Sequence, residues 1–428
     1  MTKIPKPNGT VDQIYSLWET KGASEKRRGY LGVSSLGSNC KRKLWYGFRH
    51  CDTTDFTGKT YRLFNRGHLE ENRFVQDLKD IGCEVHEFDA DGEQFEVSAI
   101  NGHLKGHTDG LVKGLPESPE TWHLLEFKTS NQNSFNKLKK NGLEKANFVH
   151  YVQMQVYMAL MDLTRGMYLV VNKNDESIYS ERIKIDNKLV QQQLSHASTI
   201  IDSSLPPEKI SEDSNYFECK WCPSRDLCHG TSDIAVPITT LSCRQCVYSS
   251  PIEKGEWKCS KHDKIIDGTP CRNHLLLPSL ITFADATDVR VNSNGDEVME
   301  YTKKDGTIFE SGGDIGNGQY SSQLLTYLGK DLSTKSSRGI EAMNEIEKEK
   351  RLLPLQDKYN SKNKEVDKVW SGDTRLLRDA WNKMIKVPMG ITSQEEEGES
   401  WYAIEFGSDG CIIVFNTGYS EIRTINKN

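Results

Sequence analysis

The sequence predicts an α/β protein in which a mixed central sheet is flanked by helices. A small zinc-ribbon-like module and an α+β C-terminal region follow it. Three observations lead there. Between residues 61 and 200, segments with the helical period alternate with segments that read as strands. Between 208 and 275 the cysteines fall into closely spaced groups. From 280 onward, turn signals such as Asn294-Gly295 and Asp305-Gly306 separate short strand patterns.

Residues 1–60 read as helical, with a loop that carries Cys40. A helix is expected over 61–82, then strands near 83–89, 93–99, 104–113 and 122–129. A helix over 133–162 leads to strands at 166–172 and 178–185 and a helix at 187–203, which Pro206-Pro207 ends. A charged helical stretch runs from about 340 to 370, and two strands near 400–424 close the chain. Trp370, Trp381 and Trp401 give this last third something to pack on, and Glu395-Glu396-Glu397 reads as a solvated turn. The division expected is 1–235, 236–278 and 279–428.

With 428 residues there is room for two or three domains and a large core. Net charge is −6, so no global basic field points to nucleic acid. Cations do cluster at Lys26-Arg27-Arg28, Lys41-Arg42-Lys43 and Lys137-Lys139-Lys140. The apolar runs fall short of a membrane span, and the N-terminus carries no signal-peptide pattern. This reads as a cytoplasmic protein with no membrane partner. No phosphate-binding G-x-x-x-x-G-K-[ST] is present, which excludes a nucleotide-driven motor of that type.

The most informative stretch is Gly106-His107-Thr108-Asp109-Gly110, followed, with sixteen residues between Asp109 and Glu126, by Glu126-Phe127-Lys128. Side chains alternate along a strand, so Glu126 and Lys128 point one way and Phe127 points into the core. Asp109 fits the end of a neighbouring strand, joined by a hairpin whose loop is 113–120. Two fixed carboxylates to hold Mg²⁺ or Mn²⁺, and a cation beside the attacked phosphate, are what metal-assisted phosphodiester hydrolysis needs. His68 and Glu71 share a face of the 61–82 helix, and either could be a third ligand. Gln153 and Tyr157 sit one above the other on an otherwise apolar helix, where burial would demand polar partners.

Eleven cysteines in a reducing compartment suggest metal ligation rather than disulfides. Cys243, Cys246, Cys259 and Cys271 are spaced C-x2-C-x12-C-x11-C, which suits a four-thiolate Zn²⁺ site, with His262 or His274 as a substitute for one thiolate. Cys219, Cys222 and Cys228 give C-x2-C-x5-C, three ligands short of a tetrahedron by one. That spacing alone suits zinc about as readily as iron. Cys51, Cys83 and Cys411 are left over and read as structural.

In their order, these pieces resemble the PD-(D/E)xK nuclease superfamily, in its RecB-like exonuclease branch. The matching segments are Gly67 to Glu71, Gly106 to Asp109, Glu126-Phe127-Lys128, and Gln153 to Tyr157, within about 30–230. The resemblance implies a restriction-endonuclease-like core in which Asp109 and Glu126 ligate the metal, helped by the Phe127 carbonyl. Glu71 then completes the shell, with His68 as the fallback. Lys128 activates the water or stabilises the developing charge, and Gln153 and Tyr157 hold the scissile strand. One cysteine before the core and three after it is similar to the iron–sulfur members of that branch, the CRISPR-adaptation and AddB-type nucleases. By that likeness Cys40, Cys219, Cys222 and Cys228 would hold a 4Fe–4S cluster that staples the two ends of the domain.

The function implied is a metal-dependent DNA exonuclease in recombination, repair or phage DNA processing. Its substrate would be single-stranded DNA or duplex ends, and a helicase, single-strand-binding or annealing protein would be its partner. The alternatives are a structure- or sequence-specific endonuclease on the same core and a non-catalytic DNA-binding protein.

Overall fold

A computed structural model describes residues 9–23, 27–52, 56–293, 295–312, 318–333, 366–373, 400–406, 410–415 and 422–426. The chain divides into two compact units, Met1–Leu332 and Ser333–Asn428.

The first unit opens with α1 (Thr10–Ala23), β1 (Leu31–Gly32), α2 (Lys41–Phe48) and the long helix α3 (Gly58–Asp80). Thr57 starts α3, because its hydroxyl accepts from the Thr60 amide at 3.3 Å. Then come β2 (Glu84–His86), β3 (Glu96–Ala99), β4 (Leu104–His107), β5 (Leu111–Lys113) and β6 (His123–Ser130). Helices α4 (Gln132–Ala146) and α5 (Phe148–Leu160), strands β7 (Arg165–Asn172) and β8 (Ile178–Lys184), and helix α6 (Asn187–Asp202) follow.

Five strands make the central sheet in the order β2-β5-β6-β7-β8. The β6–β7 pair is parallel and the others are antiparallel, so the sheet is mixed, as the sequence predicts. A parallel pair needs a long crossover, which α4 and α5 supply. Strands β6 and β7 are buried on both faces. On one face Leu125, Phe127, Met167 and Leu169 pack with Phe74 and Leu78 of α3. On the other, Leu124 and Val170 pack with Val152 and Val156 of α5.

Two expected elements are each split by a local device. The strand expected over 104–113 becomes β4, in a small sheet of order β1-β4-β3, and β5, in the central sheet. Gly110 turns the chain between them at φ 133°, and a Cβ there would lie 2.6 Å from the His86 carbonyl oxygen. The helix expected over 133–162 becomes α4 and α5. Gly142 leaves the helical region at φ 72°, and Asn147 caps a fresh helix by accepting from the His150 amide at 3.3 Å.

The segment after α6 packs within the first unit. Strands Ser249–Pro251, Trp257–Cys259 and Lys264–Ile265 form an antiparallel sheet around the cysteine pairs. Arg244 holds this module to the start of the chain by donating to the carbonyls of Phe48 (3.1 Å) and Gly29 (2.8 Å). Arg49 donates back to the Arg244 carbonyl at 3.0 Å, and Phe48 packs on Trp257 at 5.2 Å. A four-stranded sheet, Ala284–Val291, Glu297–Lys303, Ile308–Ser311 and Gln319–Tyr320, completes the unit. The Asp305-Gly306 turn falls where expected, with Gly306 at φ 83°. Asn294 lies outside the described residues.

In the second unit, Val366–Asp373, Ser400–Phe406, Gly410–Phe415 and Ile422–Asn426 pair antiparallel in that order. The helix expected over 340–370 is corrected at its end, where Val366–Asp373 is a strand paired with Ser400–Phe406. Val366, Val369 and Trp370 favour a pleated surface, and a partner strand thirty residues away decides the outcome. The earlier part of that stretch, Trp381 and Glu395-Glu396-Glu397 lie outside the described residues. No described helix is long and apolar enough to cross a membrane.

Candidate active site

Glu126 and Lys128 lie two apart on β6 and leave the same face of the strand. The Lys128 ammonium donates to Glu126 Oε1 and, at 3.1 Å, to the Phe127 carbonyl. Phe127 points the other way and stacks on Phe74 of α3, with centroids 5.2 Å apart. Asp109 follows β4, at the turn that Gly110 makes possible. Its Oδ2 accepts from the Phe127 amide at 2.6 Å, which pins the second carboxylate beside the first.

Burial sets the electrostatics. Glu126 is 0 % exposed, and its Oε2 is buried with no hydrogen-bond partner. Desolvation pushes the Glu126 carboxyl up to about 8, against the pull of Lys128, and Asp109 adds to the rise. Asp109 is likewise raised by burial, opposed by Lys128 and by the Phe127 amide. Burial disfavours the Lys128 ammonium, but Glu126 and Asp109 outweigh it and hold its pKa above the usual lysine value. One cation therefore faces a buried carboxylate and a half-buried one. Glu71 reaches both from α3 and raises both further. His68 stands one step out, its Nδ1 3.5 Å from Glu71 Oε2 and its ring largely exposed.

Helix α5 closes the site. Gln153 and Tyr157 are both buried and hydrogen-bonded to each other. The Tyr157 pKa is raised by burial and then by the charge of Glu126. Its hydroxyl lies against Gly106, where a Cβ would come within 2.4 Å of Tyr157 Oη. That contact gives the glycine of the G-x-x-D segment a steric reason.

Two neighbours escaped the sequence reading. His150 lies on the same stripe of α5, three before Gln153 and seven before Tyr157. Its Nδ1 is 2.7 Å from Tyr168 Oη, and Tyr168 is the register partner of Glu126 on β7. Burial, with Lys128 nearby, pushes His150 down to about 3, so the ring stays neutral. The 150/153/157 spacing was a readable signal. The β6–β7 pairing was not.

Among the described residues, no group of three or more His, Cys, Asp or Glu side chains closes into a metal shell. In the carboxylate site Lys128 takes the Glu126 oxygen that faces it. The donor set still fits a hard divalent cation. It offers oxygens only, one of them unpaired and buried, and an excess of negative charge that such an ion would offset.

The ten cysteines of the first unit are free thiols. Cys40, Cys219, Cys222 and Cys228 line one cavity of about 280 Å³, although they are up to 188 positions apart. Cys40 stands at the N-cap of α2, but its thiol does not cap the helix. Burial, then the Cys40 thiol and the carboxylates of Glu218 and Asp213, raises Cys219. Burial also raises Cys222 and Cys228, while Lys43 and Arg42 respectively work against the rise. Two cations of the Lys41-Arg42-Lys43 cluster thus serve the thiols. Across the mouth, Asn39 donates to Glu218 at 2.8 Å.

In the second set, Cys243 is pushed up to about 11 by burial and by Cys246, Cys271 and Cys259 in turn. Cys271 Sγ is 3.5 Å from His262 Nε2. His274 is buried and turned to the Ser242 carbonyl, 3.0 Å away. Of the left-over cysteines, Cys51 and Cys83 are buried, and Cys411 sits in the strand Gly410–Phe415.

No family model matches the chain, and no curated protein matches it. It is similar to several solved structures. One is SSO0001, at 16 % identity and TM-score 0.31, covering 52 % of this chain and 96 % of that one. Another is LHK-Exo, an alkaline exonuclease from Laribacter hongkongensis, solved in complex with dAMP. It shares 18 % identity at TM-score 0.30, over 43 % of this chain and 90 % of its own. A phage-related exonuclease from Haemophilus somnus 129PT shares 18 % at TM-score 0.22, over 31 % and 67 %.

Proposed function

We propose that this chain is a metal-dependent DNA nuclease of the PD-(D/E)xK type that works as an exonuclease on DNA ends. The observation that carries the reading is the buried Glu126 flanked by the half-buried Asp109 and Lys128, with Glu71 beside them and Glu126 Oε2 left unpaired. Structural ion pairs rarely set a buried carboxylate and a half-buried one against one cation, because the desolvation is costly.

A bound Mg²⁺ or Mn²⁺ would supply an acidified water and neutralise charge at the scissile phosphate. Asp109, Glu126 and Glu71 would hold it, with the Phe127 carbonyl as a further oxygen. The raised pKa of Lys128 keeps it charged, so it acts as a fixed cation that orients the water and the phosphate and not as a base. The raised pKa of Tyr157 keeps its phenol protonated, so it donates to the strand together with Gln153.

The cavity lined by Cys40, Cys219, Cys222 and Cys228 supports a 4Fe–4S cluster that ties the start of the chain to the segment after α6. The second set, Cys243, Cys246, Cys259 and Cys271, supports a structural Zn²⁺ with His262 beside it.

The test is digestion of end-labelled linear DNA and of the same sequence as a closed circle, with Mg²⁺ or Mn²⁺. Mononucleotides from the linear form and an intact circle are expected. A cut circle would make the enzyme an endonuclease. No cleavage of either form with either metal would remove the nuclease reading.

A further inference from the structure

The N-terminal half of α3 takes no part in the carboxylate site yet leads straight into it. Tyr61, Phe64, His68 and Glu71 are spaced three, four and three apart, which puts them on one face of the helix. Phe64 stands about 10 Å up the axis from Glu71 at 1.5 Å per residue. Phe56, Tyr61 and Phe64 form an edge-to-face cluster, with centroids 5.1 Å apart for Phe56–Phe64, 5.8 Å for Phe56–Tyr61 and 6.2 Å for Tyr61–Phe64. Tyr61 is the anchor. Its ring fills the space that a Cβ on Gly22 of α1 would need, 2.0 Å away. The other two rings stay in water, Phe56 at 43 % and Phe64 at 45 % exposed.

On α3 itself the charge around these rings is positive, although Glu19 of α1 accepts from the Gly58 amide at 2.7 Å and Arg66 lies 4.0 Å from Glu176. Lys59, Arg62 and Arg66 are exposed on α3, and no acidic residue occurs from Gly58 to Leu69. Apolar protein interfaces exclude charge from their centre, whereas here cations interleave with the rings. Aromatic faces set among cations, leading to a phosphodiesterase site, suit a nucleic acid strand. The faces of bases in a duplex are already stacked, so exposed rings have only unpaired bases to take.

We propose that Phe56 and Phe64 stack bases of a single DNA strand while Lys59, Arg62 and Arg66 hold its phosphates, so that the strand runs along α3 toward Glu71. The direction of travel rests on the nuclease reading, and the binding itself does not.

The test uses the full chain in buffer without added Mg²⁺ or Mn²⁺, so that the strand is not cleaved, and a fluorescent oligothymidylate followed by anisotropy. Base–aromatic stacking is worth ~1–3 kcal/mol per base, so Phe64→Ala should weaken binding by about tenfold and Phe56→Ala/Phe64→Ala by more. A duplex of equal length, and an abasic strand of equal charge, should bind the intact and variant proteins alike. Circular dichroism and thermal melting check the fold, and Phe64→Leu serves if the alanine variants melt early. Equal single-strand affinity in the intact and variant chains would overturn the proposal. So would equal losses on the abasic strand, or a change of oligomeric state with affinity kept, which would make the patch an interface between copies. An inactive chain that still shows the stacking effect would sink the nuclease reading and leave this surface standing.

Discussion

Asp109 and Glu126 are brought together by adjacent strands, whereas Cys40 meets Cys219, Cys222 and Cys228 across the whole core. In the first case backbone hydrogen bonds of the sheet do the positioning, and the Phe127 amide fixes the Asp109 carboxylate directly. In the second, side-chain contacts between distant segments do it: Trp45 of α2 donates to the Ser203 carbonyl at 2.9 Å and shares a core with Leu227, and Asn39 just before α2 donates to Glu218. The difference teaches where a ligand matters. The carboxylate site exists before a metal arrives, so loss of metal should cost chemistry and little structure. The thiol cavity joins distant segments, so loss of its centre should cost structure.

The strongest way to break this contrast is Cys40→Ser. A cross-link over roughly 180 residues restricts the unfolded chain by about 4–5 kcal/mol in the loop-entropy model written for disulfides. The variant should lose iron, melt well below the parent and cleave less. Cys51→Ser, at a buried core thiol that donates to the Arg49 carbonyl, should keep its iron. Iron content and melting temperature decide it, and equal behaviour of the two variants would mean that nothing is stapled at Cys40.

Glu126→Gln sharpens the other half. The folded pKa of Glu126 stands near 8, above the ordinary 4.5. A raised carboxyl stabilises the fold at acid pH, and that contribution is lost as pH rises through about 8. Glutamine keeps the shape without the charge. In the metal-free protein, Glu126→Gln should therefore match the parent near pH 5 and melt several degrees higher near pH 9. A parallel pair of melting curves across that range would contradict the burial argument.

Gly106→Ala should cost about 1–3 kcal/mol, the usual penalty for overpacking, because its Cβ would strike Tyr157 Oη. It should also slow hydrolysis by displacing that hydroxyl. Gly67→Ala, where a Cβ meets nothing within 4 Å, is the matched control. The smallest effect belongs to His150→Ala. It removes the Nδ1 contacts to Tyr168 and Asn147, about 1 kcal/mol each at most, and a melting shift of a few degrees is expected.

Short-range spacing made much of this legible. The period of two put Glu126 and Lys128 on one side, and the period of 3.6 aligned Gln153 with Tyr157 and His68 with Glu71. What stayed hidden depends on partners far away in the chain. Tyr168 matters because β7 lies parallel to β6. The strand at Val366–Asp373 looked helical until Ser400–Phe406 paired with it. The breaks at Gly110 and Gly142 were written in glycines, but a glycine shows its turn only when its neighbours are known.

Hydrolysis should need both carboxylates, Asp109 and Glu126, and the fixed cation Lys128. Single-turnover release of nucleotides from end-labelled DNA, with Mn²⁺, should be fast for the parent. Asp109→Ala, Glu126→Gln and Lys128→Ala should each slow it by two to three orders of magnitude, in line with ~3–4 kcal/mol for one preorganised electrostatic group. The variants should remain folded and still bind oligothymidylate. Near-parental rates in any two of the three would contradict the assignment of this site.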